Sequence, residues 1–372
     1  MLARAESVAL LQHRIAGLTE ADADRLAAGL GDLPLALAQA AAFLAGTGMT
    51  AGQYLGLLHA RAGPLLDQAV PGSYPRSLAA ATGLTAGRLA DDDPAAAELA
   101  SLCAFLAPDP IPEDLFTHAA GVLPGGLAAL AGDPLAWRQT LARLARQSLA
   151  RIDHRGLVMH RLTQAILRDR LTPGQAAATR NRTEAILAAS DPGDPDDPAT
   201  WPAWARLMPH LLHADLAATG NPGLRQLACH ACWYLIARGD TRTAFGLAGD
   251  LRQRWRAQLG DDHQHTLAIG TYLGWALEEM GRWAEARDLA QDVLDRRRRI
   301  LGEDHPDTLT AAYNLASSLR RVGEVQAARE LDQDTLDRRR RVLGQDHRHT
   351  LRSANQLADG LRALGEVHVA RR

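Results

Sequence analysis

The sequence predicts an all-α chain, interrupted by one small β-hairpin, that ends in an α-solenoid. Three observations predict it. A nine-residue segment recurs at a spacing of 42 residues in the last third. Alanine-rich patterns of helical period fill residues 1–61. Alternation of period two is confined to the residues flanking His154-Arg155-Gly156.

The repeat is read first because a fixed long period decides the architecture. Leu259-Gly-Asp-Asp-His-Gln-His-Thr-Leu267 recurs as Leu301-Gly-Glu-Asp-His-Pro-Asp-Thr-Leu309 and as Leu343-Gly-Gln-Asp-His-Arg-His-Thr-Leu351. Between copies lie two helical patterns split by Gly281, Gly323 and Gly365, with Gly239 extending the series backward. A degenerate first repeat therefore starts near Arg225. Within one repeat, Leu309, Ala312, Leu315, Ala316 and Leu319 recur at helical spacing. Asp304 or His305 can cap that helix, Pro306 suits its first turn, and Gly323 suits its end. The second helix, Val325 to Val342, places Ala328, Leu331, Thr335 and Leu336 on one side. Small residues at Ala286 and Ala328 let the paired helices approach. One such pair cannot bury its own apolar face, so the pairs stack into a superhelix with a concave side. The last repeat has no evident C-terminal capping helix, which leaves it open to pairing with another chain.

Upstream, residues 94–171 read as three helices, a hairpin and a helix. The strands are Ser148 to Asp153 and Leu157 to His160, and the last helix is Arg161 to Arg170. That outline is a winged helix. The uncharged stretch Leu33 to Leu58 is long enough to span a bilayer, but it contains Pro34, Gln39 and Gln53 and is mostly alanine. It reads as two buried helices instead. Asp191 to Pro198 is a polar, proline-rich linker, and the Trp201 to Leu216 helix should pack against the first repeat.

Composition narrows the chemistry. The 372 residues suffice for two or three domains, and 47% hydrophobic residues suffice for a core. The net charge of -2 gives no general attraction to nucleic acid or anionic lipid. Lysine is absent and arginine supplies all 41 basic side chains. That excludes a phosphate-loop lysine, a Schiff base and a lysine general base within the chain. The arginine bias with abundant alanine suggests a GC-rich genome. Cys103, Cys229 and Cys232 make an odd, sparse set that fits the reducing cytoplasm. Glu6, His13 and Arg14 interrupt any secretory signal.

Several motifs have simpler readings than the chemistry they suggest. Cys229-His-Ala-Cys232 is half of a metal pattern without a second pair, so it reads as buried packing. His263, His305 and His347 recur, but in separate turns, so they read as loop structure. Arg296 to Arg299 and Arg338 to Arg341 follow aspartates at helical spacing and read as solvated helix ends. The aromatics that interleave a single-strand binding surface are missing from them. There is no Gly-x-Ser-x-Gly elbow and no His-Glu-x-x-His.

The repeats, with Tyr313-Asn-Leu-Ala316, resemble the 42-residue tetratricopeptide repeats of kinesin light chains and many bacterial proteins. The upstream part resembles the C-terminal portion of an NB-ARC, or STAND-type, signalling ATPase. Gly31-Asp-Leu-Pro-Leu-Ala-Leu37 is similar to the GLPL motif, whose proline, here Pro34, would contact the nucleotide base. Leu157-Val-Met-His-Arg-Leu162 is similar to the MHD motif, whose histidine, here His160, would face the β-phosphate of ADP. Arg161 stands where that family has aspartate, and no phosphate loop precedes Gly31. The resemblance implies a chain that starts inside the NB-ARC region. Neither enzymatic activity nor a cofactor is expected of such a chain, and ADP would bind only if a nucleotide-binding core were supplied.

Four segments follow: residues 1–90, a helical remnant; 91–172, winged-helix-like; 173–223, a helical linker; and 224–372, tetratricopeptide repeats. The resemblance puts the ligand surface on the first helices of the repeats. Tyr272, Asn314 and Gln356 share one equivalent position there, Trp275, Ser317 and Asp359 a second, and Glu278, Arg320 and Arg362 a third. The function expected is that of a cytoplasmic interaction module of a STAND-type signalling system, binding a protein or peptide, with neither membrane nor nucleic acid as partner. Two alternatives differ in class: a nucleotide-dependent switch completed by another chain, and a winged-helix DNA-binding regulator.

Overall fold

In the computed structural model, residues 2–60, 62, 65–66 and 78–363 are described. Gly365 and the residues after it lie outside them. The chain divides into two compact units, Met1–Asp191 with Ala205–Asp215, and Pro192–Trp204 with Leu216–Arg372.

The first unit opens with helices α1 (Arg4–Arg14), α2 (Glu20–Leu30), α3 (Pro34–Thr47) and α4 (Ala51–Ala60). Thr19 caps α2 by accepting the Asp22 N–H at 3.1 Å. Helix α3 is buried nearly all round, from Ala36 through Ala41, which explains why its sequence carries no charge. Gln39, fully buried within it, donates to the Leu66 carbonyl at 3.2 Å. Among the described residues no helix is long and apolar enough to cross a membrane.

Next come α5 (Leu78–Asp92), α6 (Pro94–Cys103), α7 (Asp114–His118), α8 (Gly125–Ala131) and α9 (Pro134–Arg146). The hairpin β1 (Arg151–Asp153) and β2 (Gly156–Val158) follows, then α10 (Arg161–Asp169) and α11 (Pro173–Ala189). Four helices, two of them short, thus stand between residues 94 and 146 where three were expected. The strands are also shorter than expected. Ser148 adopts a left-handed φ of 57° while Leu149 N–H returns to the Leu144 carbonyl, so the exit from α9 delays β1 to Arg151. His160 caps α10 and ends β2 early.

The two strands pair antiparallel, with Ile152 opposite Leu157. Ile111 adds a bridge to Leu157, with bonds of 2.8 and 3.0 Å. Gly156 makes that close approach possible, because a Cβ there would stand 2.1 Å from the Ile111 carbonyl oxygen. Gln164, 1% exposed on α10, donates to the Cys103 and Leu106 carbonyls at 3.0 Å each, tying α10 to the end of α6. Leu162 and Ile166 of α10 join the core built by α1 to α4.

In the second unit, helix α12 (Trp201–His213) supplies its first turn. Trp204 stacks on Tyr234 with centroids 5.5 Å apart, so the first turn packs against the first repeat, whereas Ala205–Asp215, expected there too, belongs to the first unit. Seven helices continue: α13 (Pro222–Ala237), α14 (Thr241–Leu259), α15 (Gln264–Glu279), α16 (Trp283–Leu301), α17 (Pro306–Arg321), α18 (Val325–Leu343) and α19 (Arg348–Ala363). From α14 onward each follows its predecessor through a short turn, so neighbours pack as hairpins. Ala244, Ala286 and Ala328, one per repeat, are fully buried. The recurring histidines cap α15, α17 and α19. Nδ1 of His263, His305 and His347 accepts the N–H two residues on, at 3.1 to 3.2 Å.

The basic runs differ from expectation. Arg296 and Arg338 are half-buried and paired with aspartates, but Arg297 and Arg339 are buried, at 8% and 2% exposure. A helix turns about 100° per residue, so four consecutive arginines cannot all face solvent.

Candidate functional site

The first helices of the repeats line a cleft of about 840 Å³ in the second unit. Tyr272, Trp275 and Glu278 reach it from α15, Asn314 and Ser317 from α17, and Gln356 from α19. These are six of the nine residues expected on the ligand surface. The other three do not line it. Arg320 is bonded to Asp332, itself 1% exposed, and Asp332 also accepts from Gln356 at 2.8 Å. Asp359 and Arg362 pair with each other in solvent at 2.6 Å.

The aromatic side chains form one packed group. Trp233 on α13 meets Tyr272 at 6.2 Å and Trp275 at 5.9 Å, and those two meet edge-on at 5.2 Å. Trp233 lies 42 residues before Trp275, so the period points to it once it is carried back one repeat. Asn314 is 9% exposed, and its Nδ2 has no partner in the described structure. Burial pushes the Glu278 carboxyl above its ordinary value, while a hydrogen bond from Ser318 works the other way.

The buried arginines escape a composition-level reading. Arg297 donates to the Asp307 carbonyl at 2.9 Å. Arg339 donates to the carbonyls of His349 (2.9 Å) and Leu309 (3.2 Å) and to the Ser353 hydroxyl (2.8 Å), and it lies over the Tyr313 ring. Burial pushes its guanidinium down to about 10. Both side chains line the cleft.

Asp191 to Pro198 is not a loose tether. Trp204 and Trp201 donate to the Gly193 and Pro195 carbonyls at 3.3 and 3.0 Å. Asp194 and Asp196 reach the cleft. Cys229 and Cys232 are fully buried, and burial raises both thiols well above their ordinary values. Among the described residues, no group of His, Cys, Asp and Glu is arranged to hold a metal ion.

In the first unit, the two short motifs meet. His160 Nε2 donates to the Gly31 carbonyl at 3.2 Å, and its Nδ1 accepts the Leu162 N–H at 3.2 Å. Both ring nitrogens are thus committed to backbone, which fixes the neutral Nε2–H tautomer. Burial lowers the proton affinity of this ring. Arg161 donates to the Ala28 carbonyl at 3.1 Å. A cleft of about 790 Å³ runs beside these residues, lined by Arg4, Asp32, Leu33, His160 and Arg161 but not by Pro34.

Residues 88–176 match the model of a domain of unknown function, DUF7779. No curated protein matches the chain. Similar solved structures include the nearly identical TPR-like repeats from Podosopora anserina described as kinesin light chain. One form is 21% identical over 52% of this chain and 90% of that one, with a TM-score of 0.41. Another is 22% identical over the same shares, with a TM-score of 0.40. BtubC (BKLC) from P. vanneervenii is 13% identical over 53% of this chain and 76% of that one, with a TM-score of 0.39. The tetratricopeptide repeat family model matches residues 276–336 and 307–372, so this chain carries tetratricopeptide repeats, a protein-interaction module.

Proposed function

We propose that this chain is the partner-binding part of a STAND-type signalling protein, and that it holds a protein segment in the cleft lined by α13, α15, α17 and α19. The observation that carries this reading is the cleft's lining. Packed aromatics, the unpartnered Asn314 amide, Ser317 and Gln356 lie along one face at a spacing of one repeat, which suits an extended or helical peptide. The remaining divisions proposed are a helical remnant over 1–90, a winged-helix-like segment over 91–172 and a connecting segment over 173–223. The β1–β2 hairpin ahead of α10 supports the second of these.

A phage-displayed random peptide library panned on the full chain tests the reading. Selected peptides should lose about tenfold in affinity with Asn314→Ala, roughly 1.4 kcal/mol for one hydrogen-bonding group. Peptides indifferent to Asn314 and Ser317 would contradict it.

One observation favours a second reading, a nucleotide-dependent switch completed by another chain. The bond from His160 to Gly31 brings together the two segments that resemble nucleotide-sensing motifs. Calorimetry with ADP and ATP decides it, since saturable binding by the isolated chain would establish residual nucleotide recognition.

A further inference from the structure

The cleft is divided by charge. Toward α13 it holds Trp233, Tyr272 and Trp275 beside Asp194 and Asp196, and toward α19 it holds Arg339, Arg348 and Arg352. Arg297 and Arg339 are each more than nine-tenths buried, and neither makes an ion pair in the described structure. Carbonyls and hydroxyls solvate their guanidinium groups without neutralising them. Asp307 and Asp332 act on them only from beyond ion-pair distance, so each buried cation still projects part of its field into the cleft that it lines. Exposed Arg348 on the rim adds to that field, and it too lacks an ion pair among the described residues.

Asp196 shows what kind of group answers it. One carboxylate oxygen accepts the Trp233 indole N–H at 3.0 Å, and the other stands 3.7 Å from the Arg352 guanidinium. A single carboxylate from an acidic, proline-rich stretch of this chain thus reaches both the first and the last lining helix. We propose that the cleft takes an acidic, extended segment of a partner protein, and that Asp196 is the internal carboxylate which that segment displaces from Arg352. This inference rests on the cleft being the partner site. Carboxylates of the incoming segment pair with Arg348 and Arg352, above the buried charge of Arg339. A protein segment fits better than nucleic acid. Asp194, Glu278 and Asp307 also line the cleft and repel a continuous phosphate backbone, whereas carboxylates can be spaced to avoid them.

The probe is a fluorescein-labelled peptide, Asp-Pro-Gly-Asp-Pro-Asp-Asp-Pro-Ala, copied from residues 191–199. Its binding to the full chain is read by anisotropy. Asp196→Asn removes an intramolecular competitor, so the peptide should bind several-fold tighter than to the unaltered chain. Arg348→Ser and Arg352→Ser, both at exposed positions, should each weaken it at least fivefold, as should added salt. The proposal is overturned if a peptide with asparagine for every aspartate binds equally well. It is also overturned if Asp196→Asn brings no gain, or if a single-stranded oligonucleotide binds more tightly through the same arginines. Library-selected peptides that depend on Asn314 but are neutral, and indifferent to Arg348 and Arg352, would overturn the acidic chemistry alone. The cleft itself would remain the partner site.

Discussion

The guanidinium of Arg339 lies over the ring of Tyr313 at 5.2 Å, inside the repeat array. The same side chain ties the start of α17 to the start of α19 through the Leu309 and His349 carbonyls. Arg339→Ala should therefore destabilise the second unit by about 3 kcal/mol, since it orphans buried acceptors and opens a cavity. Its neighbour Arg338 pairs with Asp304 and Asp334 near solvent, and Arg338→Ala should change stability by less than about 1 kcal/mol. Urea unfolding of both variants checks this, and equal effects would refute the assignment of Arg339 to the interior.

Arg320 is expected to behave as a structural residue. Its partner Asp332 is 1% exposed, and burial raises that carboxyl above its ordinary value even with Arg320 beside it. Arg320→Ala would leave Asp332 with Gln356 as its hydrogen-bond donor and Arg339 as a more distant cation, and should cost about 2 to 4 kcal/mol. Peptide affinity, measured where the variant remains folded, should be unchanged. A loss of affinity without a loss of stability would return Arg320 to the ligand surface.

Acid should weaken the first unit through His210. Its Nε2 donates to the Pro110 carbonyl at 3.2 Å, its Nδ1 is buried without a partner, and burial lowers it to about 4. The unfolded chain takes up this proton near pH 6.5, before the folded chain does. The stability contribution is therefore complete above 6.5 and is lost as pH falls toward 4, amounting to about 3 kcal/mol. Thermal melts across that range should show a shallower slope for His210→Gln. An unchanged slope would place the acid sensitivity elsewhere, with His160 and His213 the next groups that burial keeps neutral.

Gly31 holds the two short motifs together. Its φ of 63° and the nearness of His160 both exclude a side chain, because a Cβ would stand 2.2 Å from His160 Nε2. Gly48 has a similar φ of 66° with open space around it. Gly48→Ala should cost about 1 kcal/mol of backbone strain alone. Gly31→Ala should cost clearly more, as His160 is expelled from its bond. Equal melting points would mean that the His160 contact contributes nothing.

Much of the second unit was legible because a 42-residue period constrains every copy at once. Gly281, Gly323, the capping histidines and the small residues Ala286 and Ala328 all follow from it. The period also held Trp233, one step before Trp275, but that helix lacks the nine-residue signature and so was not aligned. The burial of Arg297 and Arg339 was hidden because each sits within four consecutive arginines, and composition averages over a face that geometry divides. Asp196 left no trace in the pattern, since its role depends on where the chain returns in space. In the first unit, Ser148 shortened β1 through a left-handed turn that no local motif announced.

Placing a photo-crosslinking benzoylphenylalanine at Ser317, on the cleft, and separately at Gln333, exposed on α18, tests the central claim most directly. With a library-selected peptide, crosslinks should form from position 317 and not from 333. Crosslinks from 333 alone would show that the partner binds outside the cleft.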